Sequence, residues 1–173
     1  ARYGLWHYVL PEKQKKEPYA SIQRAGANLR GLIRILLFKR FESSVYAFRE
    51  TIKRLLRAHE RFIKALDEGI VPAGDEARDI LYESDVESEI DLMDALRETC
   101  TRYRAEDFDL DRLREHIQHD VEVLEYILKL VEPITPDKDA KLQTLIARLK
   151  QKPLSEGKRL IFTQYADTAK YIY

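Results

Sequence analysis

One cysteine in 173 residues, Cys100, excludes a disulfide framework and a zinc site built on several thiolates. Glycine and proline number six each, too few for the turns of a many-stranded β-fold. No run approaches the roughly 18 consecutive apolar residues of a membrane span, so no membrane partner is expected. No apolar signal core follows Ala1-Arg2-Tyr3-Gly4, so secretion is not indicated. The only methionine is Met93, and the pattern opening at Asp167 reads as a helix unfinished at Tyr173, so both ends are expected to be cut. A G-x-x-x-x-G-K-[ST] phosphate loop is also absent. Gly157-Lys158 precedes a strand-like run, whereas such a loop follows a strand and opens a helix. Asp67-Glu68 and Asp75-Glu76 follow no apolar strand that would set them to hold magnesium.

What is present is charge: Asp, Glu, Lys and Arg make up 35% of the chain and sum to zero, but unevenly. Residues 1–64 carry 15 Lys/Arg against 5 Asp/Glu, residues 65–132 carry 7 against 21, and residues 133–173 carry 8 against 4. Segregation of this kind suits a chain with one part facing an anion such as nucleic acid. It equally suits basic and acidic helices that pack side by side.

Along the chain, residues 2–10 read as a short strand stopped by Pro11, followed by a charged linker to Pro18. A helix is expected from Ser21 as N-cap, with Ile22, Ala25, Leu29, Leu32 and Leu36 as its apolar stripe. Phe41, Val45, Phe48, Ile52, Leu55, His59, Phe62 and Leu66 then alternate steps of four and three, a heptad seam. Lys53, Arg54, Arg57, Arg61 and Lys64 face away from it, and Gly69 ends the helix. Val86, Ile90, Met93, Leu96, Cys100 and Tyr103 offer a weaker stripe, and the acidic residues 83–89 read as a loop. Asp109 caps a long helix through Val131, Asp137 a shorter one through Leu149, and residues 158–163 form an apolar run of strand character before the helix at Asp167.

Catalytic constellations are not legible. His116 and His119 sit three apart on one helix face, but without an evident third ligand they read as solvated side chains rather than a metal site. His59 lies on the seam as a core histidine, and Cys100 and the serines have no local base.

Two segments carry a family resemblance. Asp139-Ala140-Lys141-Leu142-Gln143-Thr144-Leu145, then Gly157-Lys158-Arg159-Leu160-Ile161-Phe162-Thr163-Gln164-Tyr165, resemble the beginning of the second RecA-like domain of superfamily-two helicases. There a K-L-x-x-L helix precedes a strand reading L-I-F-(S/T)-Q-(Y/F), and Asp167-Thr168-Ala169-Lys170-Tyr171 continues the pattern. About 120 residues upstream, Leu37-Phe38-Lys39-Arg40-Phe41-Glu42-Ser43-Ser44 is similar to the L-x-K-R-x-E-S-S segment after the first RecA-like domain of SWI/SNF-like members. The resemblance covers about a third of the chain.

The expected fold is mainly α, with long antiparallel helices as a helical bundle or protrusion and a truncated βα start of a RecA-like α/β domain. Residues 1–20 are then a short segment and linker, 21–135 the helical region between motor lobes, and 136–173 the beginning of the second lobe. The resemblance implies a fragment of an ATP-dependent DNA helicase or translocase, cytoplasmic, or nucleoid-associated if bacterial or archaeal. Its implied partners are DNA, duplex ahead of RNA, and the remaining lobes of the parent protein. ATP and magnesium belong to that parent, and this chain alone is expected to be inactive. Expected nucleic-acid contacts are Arg30, Arg34, Lys39, Arg40, Lys53, Arg57 and Arg61 from the basic helices, with Thr163 and Gln164 after the motif IV-like strand. A helical protein-interaction module using the seam, or a non-motor helical DNA-binding domain, remain open alternatives.

Overall fold

A computed structural model of the chain describes the backbone of residues 2–82 and 89–173. It describes their side chains except at residues 2, 3, 24–30, 75, 82 and 89–91. The structure is mainly helical, and no strand forms among the described residues. In order the α-helices are α1 (Tyr19–Ser43), α2 (Val45–Asp67), α3 (Asp75–Tyr82), α4 (Glu89–Thr99), α5 (Leu110–Val131), α6 (Ala140–Leu149) and α7 (Ala166–Ile172). Short 3₁₀ segments lie at Arg2–Tyr8 and Ala105–Asp107.

Two compact units are present, and neither is a continuous stretch of sequence. The first comprises residues 1–34 and 54–125, the second residues 35–53 and 126–173.

In the first unit the second half of α2 supplies Ala58, Phe62, Ala65 and Leu66 to the core, where they join Leu81 of α3, Leu92, Met93 and Leu96 of α4, and Leu113 and Ile117 of α5. This half of the seam is therefore buried within the chain, and His59 is buried with it. The His59 Nδ1–H donates to the Leu55 carbonyl at 2.7 Å, a helical back-bond that fixes the tautomer. Helix α2 stops at Gly69, whose φ of 72° suits a residue without Cβ. The Gly69 amide donates to Leu66 O and the Ile70 amide to Ala65 O, while Ile70 itself is buried. That is the Schellman arrangement, which satisfies carbonyls a helix end leaves open.

Several expectations are corrected here. Residues 2–10 form 3₁₀ turns and one antiparallel bridge, Val9 to Phe108, rather than a strand. Their available backbone partner is the bend at residues 107–109, through Leu10 N to Asp107 O and Asp109 N to Tyr8 O, which is too short for a ladder. Ser21 is not the cap of α1. Its hydroxyl donates back to the Pro18 carbonyl from inside the first turn. Leu32 and Leu36, expected to be apolar core, are 51% and 44% exposed, and the side chains of Ala25 and Leu29 lie outside the described residues. The seam does not run unbroken from Phe41, because α1 ends at Ser43 and Ser44 starts a new helix; Phe41 is 47% exposed. The expected loop over residues 83–89 falls mostly outside the described residues. Asp109 caps α5 as expected, accepting from Arg112 N at 3.2 Å. The cap of α6 is Asp139 rather than Asp137, accepting from Leu142 N at 3.0 Å.

The strand expected at residues 158–163 is likewise not formed, although the helix after it is present as α7. A strand takes its backbone hydrogen bonds from a neighbour. None of the described segments offers it an edge, and Leu160 and Phe162 stay 85% and 91% exposed.

Asp107 is the polar centre of the first unit. Its carboxylate, 5% exposed, accepts from Tyr19 Oη at 2.5 Å and pairs with Lys13 Nζ at 2.7 Å. These two bonds, Lys13 foremost, hold its pKa below the ordinary carboxylate value. A carboxylate depressed in the folded state stabilises above its unfolded pKa, about 3.9, and that stabilisation is lost as pH falls toward the folded value. Asp107→Asn should therefore flatten the loss of stability below about pH 4, as read from urea midpoints across an acid series. An unchanged acid limb would remove Asp107 from that role.

Packing makes a sharper contrast. Phe62 is fully buried, so Phe62→Ala should cost about 3–5 kcal/mol. Phe38 is 59% exposed, and Phe38→Ala should stay within about 0.5 kcal/mol. Thermal or urea melts of the two variants check this.

Candidate functional site

The second unit brings together the two segments that are far apart in sequence. It starts from a local necessity. Helix α1 ends at Ser43 and α2 begins one residue later, so the last carbonyls of one and the first amides of the other all need partners within a few residues. Ser44 meets part of that need as an N-cap, its Oγ accepting from Ala47 N at 3.0 Å. The carbonyls of Glu42 and Ser43 are met from far along the chain, by the ammonium of Lys141 in the first turn of α6.

Around this break the hydroxyl of Thr168 on α7, 3% exposed, hydrogen-bonds to both Ser43 Oγ (2.7 Å) and Ser44 Oγ (2.9 Å). Arg40, one turn earlier on α1, donates from Nη1 to Asp167 Oδ2 at 2.6 Å, and its guanidinium lies 4.3 Å from the Tyr165 ring centroid. The rings of Tyr46 and Tyr171 stack at 5.1 Å with 3° between their planes. The Tyr171 hydroxyl donates to the buried Asp139, which also caps α6. Burial, with the Asp139 charge behind it, raises the Tyr171 pKa and keeps it a donor. Arg49 of α2 reaches the end of α5, donating from Nη2 to Val131 O (3.0 Å) and Ile134 O (2.7 Å).

The residues expected to contact nucleic acid fall into three groups. Arg34, Lys39, Arg57 and Gln164 are exposed. Arg40, Lys53 and Arg61 are half-buried and engaged: Arg40 with Asp167, Lys53 with Glu50 at 2.8 Å, and Arg61 with the Leu81 carbonyl at 3.1 Å. Thr163 is half-buried, its Oγ1 accepting from Tyr165 N at 3.4 Å. The Arg30 side chain lies outside the described residues. Arg34, Arg57 and Arg61 belong to the first unit, and Lys39, Arg40, Lys53, Thr163 and Gln164 to the second. Ser43, Ser44, Lys141, Asp167 and Thr168 were legible as members of the two motif segments but not as each other's partners. Tyr171 was legible in the same way, as the last residue of the second segment, whereas Arg49 and Tyr46 had no candidate role in the sequence.

Arg49 Nε and Tyr165 Oη are buried without a hydrogen-bond partner. His116 Nδ1 shares a hydrogen bond with the Tyr8 hydroxyl at 2.8 Å, and His119 faces Glu122 at 3.7 Å. No group of three or more His, Cys, Asp or Glu that would hold a metal occurs among the described residues. Burial pushes the Cys100 thiol up, away from the thiolate a nucleophile needs. No helix among the described residues is long and apolar enough to cross a membrane.

Comparison with protein-family models, with curated proteins and with solved structures returned no match.

Arg49 tests how firmly the second unit is built. Replacing it with methionine keeps most of the aliphatic stem and removes both bonds to the end of α5. Arg49→Met should lose about 1.5–3 kcal/mol, measured by urea denaturation, and a neutral result would mean that water serves those carbonyls equally well.

Proposed function

We propose that the chain is the helical bridge of a superfamily-two, SWI/SNF-like DNA translocase, joining its motor lobes and bracing them against duplex DNA. One observation carries this reading. The segment Lys39-Arg40-Phe41-Glu42-Ser43-Ser44 and the segment Tyr165-Ala166-Asp167-Thr168, more than 120 positions apart, are tied by Arg40–Asp167 and by Ser43 and Ser44 to Thr168. Residues picked out by a family pattern become mutual partners, which is how a motif shared for structural coupling behaves. In this reading residues 158–163 gain their strand partners from the rest of a RecA-like sheet, which suits their apolar, exposed state. ATP and magnesium are held by other parts of the parent protein, and the chain alone does not hydrolyse ATP.

The nucleic-acid contacts are backbone contacts. On α2, Arg54, Arg57, Arg61 and Lys64 recur at helical spacing, and Arg57 and Lys64 are exposed. Cations arranged so neutralise phosphates without reading bases. A second reading, a helical protein-interaction module, draws on the exposed apolar side chains of Ile35, Leu36 and Phe38 on α1. The seam of α2 is not open to such a partner, since Ile52, Leu55, Phe62 and Leu66 are buried.

A salt titration of duplex binding, followed by fluorescence anisotropy, separates the two readings. Binding should weaken linearly on log–log axes, equally for unrelated sequences. Arg57→Ala should reduce the slope by about 0.9, the contribution of one neutralised phosphate. No binding at low salt would sink the DNA reading and favour the interaction module.

A further inference from the structure

Arg40 stands among the residues whose type and position suggest a phosphate contact, yet its surroundings describe a different task. We propose that Arg40 is a positioning residue: it fixes the start of α7 and, through Tyr165, sets Thr163 and Gln164 for contact with a nucleic-acid backbone. The inference rests on the reading given under Proposed function and assigns Arg40 a role within it.

The guanidinium is already committed. Asp167 takes one edge at 2.6 Å, in a pair whose side chains are 27% and 17% exposed, and the Tyr165 ring covers its face. A planar cation with a carboxylate on its edge and a ring against its face has much of its charge answered. A phosphate would have to displace Asp167 to gain the same bond. Lys39, the neighbouring cation, is exposed and has no ion pair among the described residues, so it is the residue of the two suited to meet phosphate.

The path from Arg40 to the dipeptide is short: a contact with the Tyr165 ring, then the chain itself. Tyr165 follows Gln164 directly, and its amide donates to Thr163 Oγ1 at 3.4 Å. Holding the ring therefore holds the backbone on which Thr163 and Gln164 stand. Thr168 is pinned to Ser43 and Ser44 at the same time, so α7 is fixed at successive residues, 167 and 168, just past that backbone. Without Arg40 the hydroxyl pins remain, but the ring and the dipeptide before it lose their anchor.

Charge counting distinguishes positioning from contact. The salt slope of duplex binding reports phosphates neutralised by cations, and a neutral hydrogen-bonding group such as Gln164 does not enter it. The experiment measures that slope and the affinity for the whole chain as wild type, Lys39→Ala, Arg40→Ala and Arg40→Gln. Lys39→Ala should lower the slope by about 0.9. Arg40→Ala should weaken binding several-fold with the wild-type slope. Arg40→Gln, whose planar amide can still donate to Asp167 and lie against the Tyr165 ring but carries no charge, should recover part of the affinity, again with the wild-type slope.

A slope that falls for Arg40→Ala as it does for Lys39→Ala would overturn the inference, since Arg40 would then be a phosphate contact. Unchanged affinity in Arg40→Ala would overturn it equally. If Arg40→Ala does not fold, Arg40→Gln decides: a wild-type slope supports positioning, and a slope lowered by about 0.9 overturns it. Absence of binding by the wild type overturns the DNA reading and this inference together, whereas binding with the wrong variant pattern overturns this inference alone.

Discussion

A helix that stops and restarts within one residue leaves more backbone groups unmet than a side chain on the spot can serve. In the second unit this break, between Ser43 and Val45, is the constraint around which the rest is arranged. Ser44 serves the new helix, but the Glu42 and Ser43 carbonyls need a donor from elsewhere, and Lys141 supplies it. That demand brings α6 to the break, and Thr168 brings α7 to it through the two serine hydroxyls. The Lys141 bonds are exposed, but the Thr168 and Ser44 hydroxyls are buried, and buried polar groups are costly when half satisfied. Tyr171 completes the set by stacking on Tyr46 and donating to Asp139, the residue that caps α6.

The first unit is held differently. Its core is apolar and draws on nearly every element of the unit, with Phe62, Leu96, Leu113 and Ile117 fully buried. Its main polar insertion, Asp107 with Tyr19 and Lys13, ties the N-terminal segment to the bend before α5. Burial also raises the Tyr19 pKa, so the phenol stays a donor wherever the carboxylate is charged. A charge taken out of water is tolerated when it is paired and hydrogen-bonded, and Asp107 is both.

What the sequence made legible follows from how local each cause is. The periodicity of Ile52 to Leu66, the stop at Gly69 and the cap at Asp109 are each set within one or two turns, and the structure has all three. The start of α1, the cap of α6 and the fate of residues 2–10 were misread. Ser21, Asp137 and the aromatic run each had the right chemistry, but a neighbour or a bend partner prevailed. The break at Ser44 hid inside a perfect heptad spacing, because periodicity reports which side chains share a face and not whether the backbone between them is continuous. Of the candidate site, the sequence offered the segments but not the bond between Arg40 and Asp167. Cation type is visible in a sequence, and the carboxylate that answers it 127 positions away is not.

The charge segregation is open to the same correction. A basic stretch suggests an anionic partner only for those cations that keep their charge unanswered, and the structure sorts them. Arg40 and Lys53 have acidic partners within the chain, and Lys13 spends its charge on Asp107. Arg57 and Lys39 are exposed. Net charge by segment therefore overstates the electrostatic surface, since a surface ion pair adds little stability yet removes both charges from the field an approaching anion feels. The polar bonds that tie Arg40, Ser43 and Ser44 to Asp167 and Thr168 obey the converse rule. They contribute modestly to stability one by one, but they admit few geometries, so their larger consequence is to hold the start of α7 in one position relative to Arg40 and Ser43.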